Sequence, residues 1–229
     1  MKPYTKCAVL NLILLASVTR AAEQSEQASS VTTNSIPAPE SSLSKSTIWQ
    51  DGVGNGFVAG ARDFSAEAGA MRGVIMFGGR EEHDLGLLSL TYGQILGRVI
   101  GEDHWYRGNF EGRLEVLGGM QFHPDQGKGG WLIGLTPHIR YDFATGSRWV
   151  PFFDLGAGVT ATGISRPDLS GIFEFNLQAT TGVHYMLRDN LALTGDVRYM
   201  HVSCGGIHSP NLGMNGVAFM LGVTWFFGK

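Results

Sequence analysis

The chain has 229 residues, a formal net charge of -3, 43% hydrophobic residues and only 16% charged ones. That balance excludes disorder over the whole chain and a basic nucleic-acid binder, because apolar surface suffices for a core and there is no cationic excess. The longest apolar run, Cys7 to Val18, is shorter than the roughly 18 residues a spanning helix needs. A chain with 33 Gly, 13 Phe, 5 Trp and 6 Tyr instead suits an all-β architecture.

Residues 1–22 read as a secretory signal peptide. Lys2 and Lys6 give a positive start, Cys7–Val18 an apolar stretch, and Thr19-Arg20-Ala21-Ala22 small residues for cleavage. Removing Lys2, Lys6 and Arg20 from the 17 basic residues leaves 14 against 20 acidic ones, a mature charge of about −6. Cys7 leaves as well, so Cys204 is the one cysteine remaining and no internal disulfide is expected. Residues 23–48, rich in Ser, Thr, Gln and Pro, read as a disordered spacer, since few large apolar side chains offset the entropy of ordering. Gly54-Asn55-Gly56 reads as a turn and not a phosphate loop, because no strand–loop–helix unit surrounds it.

Residues 49–229 read as a transmembrane β-barrel. Alternate strand residues face opposite sides. Along 149–161 one parity carries Trp149, Pro151, Phe153, Leu155, Ala157, Val159 and Ala161; the other ends in Asp154, Gly156, Gly158 and Thr160. The same split recurs over 131–143, 173–187 and 216–227. The greasy parities run six to eight positions, longer than whole strands of about 5–6 residues in soluble sheets. The opposite parities carry Gly, Thr and isolated charges (Glu111, Arg113, Glu115, Arg140, Asp142, Asp154, Glu174, Asp196, Arg198) that suit pairing inside a narrow barrel. Eight antiparallel strands are predicted near 69–79, 84–97, 106–122, 131–143, 149–162, 171–187, 190–203 and 214–227. Eight strands enclose only side chains, so no channel is expected. Trp105, Tyr106, Trp131, Trp149, Tyr185 and Trp225 near segment ends suit aromatic girdles. A soluble secreted barrel would need the greasy parity turned inward.

The seventh segment breaks the pattern. Its lipid-facing stripe, Leu191, Leu193, Gly195, Val197 and Tyr199, continues to His201 and Ser203, and the eighth segment's stripe begins at Asn215. Polar side chains on a lipid face are costly and point to function, although one polar residue alone fits a barrel rim. His and Ser suit a base and a nucleophile. Neighbours at i and i+2 lie roughly 6.6 Å apart on a regular strand, so a bend is needed to bring them together; Gly205-Gly206 permits one, and equally suits an ordinary loop. Cys204 has the opposite parity to His201. His208 lies in the following loop without a zinc-spaced partner set, and His138 and His184 face the interior. No metal or other cofactor is expected.

His201-Val202-Ser203-Cys204-Gly205-Gly206, then Pro210-Asn211, Gly213 and Asn215 before a terminal aromatic strand, resembles the signature of the outer-membrane lipid A 3-O-deacylase family. Its pattern is His-x-Ser-Asn-x-Gly, then Pro-Asn, Gly and a carboxylate. The likeness covers about residues 50–227. It implies an outer-membrane esterase that removes the 3-O-linked acyl chain of lipid A, met directly in the outer leaflet of lipopolysaccharide. Ser203 would be the nucleophile, His201 the base and Asn215 the third member, with Gly206 and Cys204 at the oxyanion. Asn215 stands where the family has an acid, and Cys204 where it has Asn. The alternative is a non-catalytic barrel with a structural or interaction role.

Overall fold

The chain divides into two units, Met1–Lys45 and Ser46–Lys229. The computed structural model describes residues 57–77, 79, 83–122, 130–164, 168–169, 171–209 and 211–228, all in the second unit. The expected signal peptide, the spacer, the Gly54-Asn55-Gly56 turn and Pro210 lie outside the described residues.

Eight strands form one closed antiparallel barrel: β1 (Arg62–Gly73), β2 (Leu85–Ile95), β3 (Gly108–Gln121), β4 (Trp131–Phe143), β5 (Trp149–Thr162), β6 (Phe173–Arg188), β7 (Leu191–Ser203) and β8 (Met214–Phe227). β8 returns to pair with β1 from Arg62↔Phe227 to Gly73↔Gly216. Closure leaves no edge with unpaired backbone groups, the condition for a sheet to sit in hydrocarbon. Strands of 11 to 16 residues meet the roughly 9–11 residues a membrane-spanning strand needs.

The polarity is inverted relative to a soluble barrel. Leu88, Leu114, Ile133, Leu155, Val197 and Phe219 point outward and are exposed, while Glu67, Glu115, Arg140, Asp154 and Arg198 are buried in the lumen. That excludes the soluble binder with an apolar interior. Arg198 reaches Glu115 at 2.6 Å, Asp196 at 3.2 Å and Glu67 at 3.3 Å. Arg113 bridges Glu111, Asp63 and Asp154, and His138 joins Asp154 at 2.6 Å. The guanidinium of Arg140 binds Asp154 and lies 3.6 Å from the ring centre of Phe152. Removed from water, such charges persist only with compensating partners. Two apolar clusters close the lumen on either side of this belt. Met71, Leu85, Leu117, Leu132, Met200 and Met214 fill the end reached by the C-terminus of β7. Phe57, Ile95, Val150, Met186 and Phe226 fill the other.

The first strand differs from expectation. It runs over Arg62–Gly73 and not 69–79. Its outward stripe is Phe64, Ala66, Ala68 and Ala70, with Asp63, Ser65, Glu67 and Met71 inside. Alanine gives little contrast against Ser and Gly, so parity is weak there. The greasy residues Val74 to Phe77, which drew the expected strand onward, belong to the β1–β2 connection. Trp131, Trp149 and Trp225 stand exposed near strand ends, and Tyr185 packs on Trp149. Trp105 and Tyr106 lie in the β2–β3 connection.

Candidate active site

The outward stripe of β7 carries Tyr199, His201 and Ser203 in succession, and the β7–β8 ladder sets His201 opposite Asn215. Directly opposed residues project side by side on one face. His201 Nδ1 lies 2.8 Å from Asn215 Oδ1, and His201 Nε2 lies 3.1 Å from Ser203 Oγ. One imidazole therefore spans two contacts, to the neighbouring strand and along its own.

The expected bend between His201 and Ser203 is absent. Ser203 is still in register with Phe175 of β6, so β7 remains regular through the pair. The imidazole ring, lying along the strand, covers the distance that the backbone leaves open. The turn comes afterwards: Ile207 N–H donates to Cys204 O at 3.2 Å, with Gly205 and Gly206 at φ 61° and 83°. Two successive left-handed residues define a tight turn that favours glycine at both positions.

The proton pattern follows from the third residue. The amide of Asn215 is 3.0 Å from the Met76 carbonyl, which can only accept, so Nδ2–H donates there and Oδ1 faces the ring. Oδ1 accepts from the Tyr199 hydroxyl at 2.6 Å and from His201 Nδ1–H. With its proton on Nδ1, the ring turns the lone pair of Nε2 toward the Ser203 hydroxyl, the arrangement of a base beside an alcohol nucleophile. Asn215 itself is only 2% exposed, while His201 and Ser203 are half-buried.

Cys204, read beside Gly206 at the oxyanion, is bonded within the β7–β8 loop. Its N–H donates to Asn211 Oδ1 at 3.0 Å, and its buried thiol sits 3.4 Å from both the N–H and the carbonyl of His208. Its backbone donor is committed to the loop. Gly206 follows in the turn just past Ser203, with its N–H bonded to none of the described residues. His138 and His184 stand in the lumen network, far from the stripe in the ladder. Among the described residues no three His, Cys, Asp or Glu side chains group closely enough to hold a metal ion.

Of the further contributors, Tyr199 and Met76 had no place in the sequence motif, whereas Gly213 did. Tyr199 was visible only as the next residue down the same stripe. Met76 reaches Asn215 from the β1–β2 connection, 139 positions away in the chain. Gly213 (φ 79°) packs so closely on the imidazole that a Cβ there would lie 2.8 Å from His201 Cε1. Its N–H donates to Asp168 O at 3.2 Å, and the Asp168 carboxylate binds His83 Nε2 at 3.1 Å. Three loops are thus tied behind the site.

The model of the family described as "Lipid A 3-O-deacylase (PagL)" matches residues 97–224, which hold the whole of this constellation except Met76 and His83. The chain belongs to the lipid A 3-O-deacylase family. The crystal structure of the outer membrane enzyme PagL is similar at 21% identity and TM-score 0.52, covering 70% of this chain and 97% of that one. Neisserial surface protein A is similar in fold at 17% identity and TM-score 0.55, covering 72% and 97%. Comparison with curated proteins finds no significant sequence match. Family membership, barrel closure and the apolar exterior together place the chain in the outer membrane.

Proposed function

We propose that the barrel is an esterase that releases the 3-O-linked acyl chain of lipid A. The observation that carries this reading is the continuous chain Asn215–His201–Ser203 on the lipid-facing side of β7 and β8, with contacts of 2.8 and 3.1 Å. A site facing hydrocarbon suits a substrate that is itself part of the leaflet.

Ser203 Oγ attacks the ester carbonyl carbon and its proton passes to His201 Nε2. The carbonyl oxygen gains negative charge, and the Gly206 N–H is assigned to receive it. The bond from the carbonyl carbon to the sugar oxygen then breaks, and His201 returns the proton to that oxygen. A water molecule, deprotonated by His201, repeats the sequence on the acyl-serine and frees the fatty acid. Asn215 Oδ1 holds the ring in the required tautomer but offers no charge to the imidazolium. Cysteine proteases operate with Asn in this place, whereas Asp to Asn in a serine protease costs about four orders of magnitude. That substitution is the observation favouring the second reading, a non-catalytic barrel of the same fold.

One assay separates the two. The detergent-purified barrel is incubated with lipid A, and the products are weighed by mass spectrometry beside a Ser203→Ala control. Loss of one acyl chain in the first sample alone supports the esterase. Identical acyl content in both supports the non-catalytic barrel.

A further inference from the structure

The β1–β2 connection presents Ile75, Met76 and Phe77 at 58, 42 and 76% exposure, at the same end of the barrel as the Ser203–His201 pair. Three adjacent exposed apolar side chains are unfavourable in water and favourable among acyl chains. Phe77 is also the one described non-glycine residue with positive φ, at 52°. An aromatic residue in that region is strained and persists where its surroundings hold it. The restraints are visible. Gly79 N–H donates to the Met76 carbonyl at 3.0 Å, Asn215 Nδ2–H donates to the same oxygen at 3.0 Å, and Val74 N–H donates to Asn215 O at 2.9 Å. So held, the Phe77 ring meets the His201 imidazole edge-on, centres 6.4 Å apart and planes at 88°.

We propose that Phe77 is a specificity-determining residue, the wall along which the scissile acyl chain lies, and that the amide of Asn215 holds it there. The proposal rests on the esterase reading and deepens it. It gives Asn215 a second task besides orienting His201. Oδ1 serves the ring and Nδ2–H serves the turn; a carboxylate could serve the first but would set an oxygen against the Met76 carbonyl. The departure from the family's acid then follows from a loop that needs a donor.

The test compares hydrolysis of 4-nitrophenyl dodecanoate and 4-nitrophenyl acetate by the full-length barrel in detergent micelles. The readout is the ratio of the two kcat/KM values. Phe77→Ala removes ring contact from an exposed position, and folding is checked by gel mobility before and after heating. The ratio is expected to fall about tenfold, the scale of a lost apolar pocket contact, with acetate hydrolysis retained. Asn215→Asp is expected to lower the ratio similarly by loosening the turn. An unchanged ratio in Phe77→Ala overturns the proposal. A fall in Phe77→Ala with none in Asn215→Asp overturns the role given to the amide. Failure of the unaltered barrel to cleave either ester overturns the esterase reading, and this inference with it.

Discussion

His201 Nδ1 and Asn215 Oδ1 face each other at 2.8 Å across the β7–β8 ladder, on the side of the sheet that meets lipid. The bond fixes which nitrogen carries the proton. Replacing Asn215 by Leu keeps the volume similar and removes that control, leaving the ring free to protonate Nε2. Deacylation is expected to slow by two orders of magnitude or more, on the scale of a triad orienter, with the barrel still folded. Single-turnover release of fatty acid measures it.

Tyr199 shares the acceptor. Its hydroxyl bond of 2.6 Å helps hold Oδ1, and not Nδ2, toward the imidazole. Tyr199→Phe removes one neutral hydrogen bond worth about 1 kcal/mol. kcat is expected to fall several-fold with KM unchanged. Steady-state kinetics on a lipid ester separates the two constants, and a change in KM alone would place Tyr199 in substrate binding instead.

Gly213 sets the back of the ring. Its φ of 79° disfavours any side chain, and a Cβ would lie 2.8 Å from His201 Cε1. Gly213→Ala is expected to displace the imidazole from Ser203 and lower kcat about tenfold or more, since small misplacements near reacting atoms are costly. The ¹H–¹⁵N spectrum of His201 should shift in parallel with the loss of rate.

Arg198 tests the lumen and not the site. Its guanidinium is buried against Glu115, Asp196 and Glu67. Arg198→Met leaves three buried carboxylates without this partner and is expected to cost about 3–5 kcal/mol. Urea unfolding of the barrel in micelles reads the change. Ester hydrolysis by the folded fraction should be little affected, because Arg198 and His201 face opposite sides of β7.

The barrel was legible wherever one parity was bulky. β4, β5 and β8 begin and end where the alternation predicts, and β7 begins one residue later, because Trp, Phe, Leu and Val on the lipid face contrast with Gly, Thr and charge inside. β1 was misplaced because Ala66, Ala68 and Ala70 on its outer face hardly differ from its inner Ser65 and Gly69. The site was half legible. His201, Ser203 and Asn215 share outward stripes that can be read by counting twos. The distance between His201 and Ser203 could not be read this way, since it depends on the reach of the ring and not on backbone spacing. Met76 and Phe77 carry no local signal that points to the site; they join it only because closure brings β1 beside β8.

In this mechanism Ser203 is the alcohol that His201 activates toward a lipid ester. Treating the purified barrel with a long-chain alkyl phosphonate and sequencing its peptides by mass spectrometry tests it most directly. One adduct is expected, on Ser203, formed at least a hundredfold more slowly in His201→Ala, consistent with the contribution of a positioned general base. An adduct elsewhere, or none on Ser203 in the folded barrel, would contradict it.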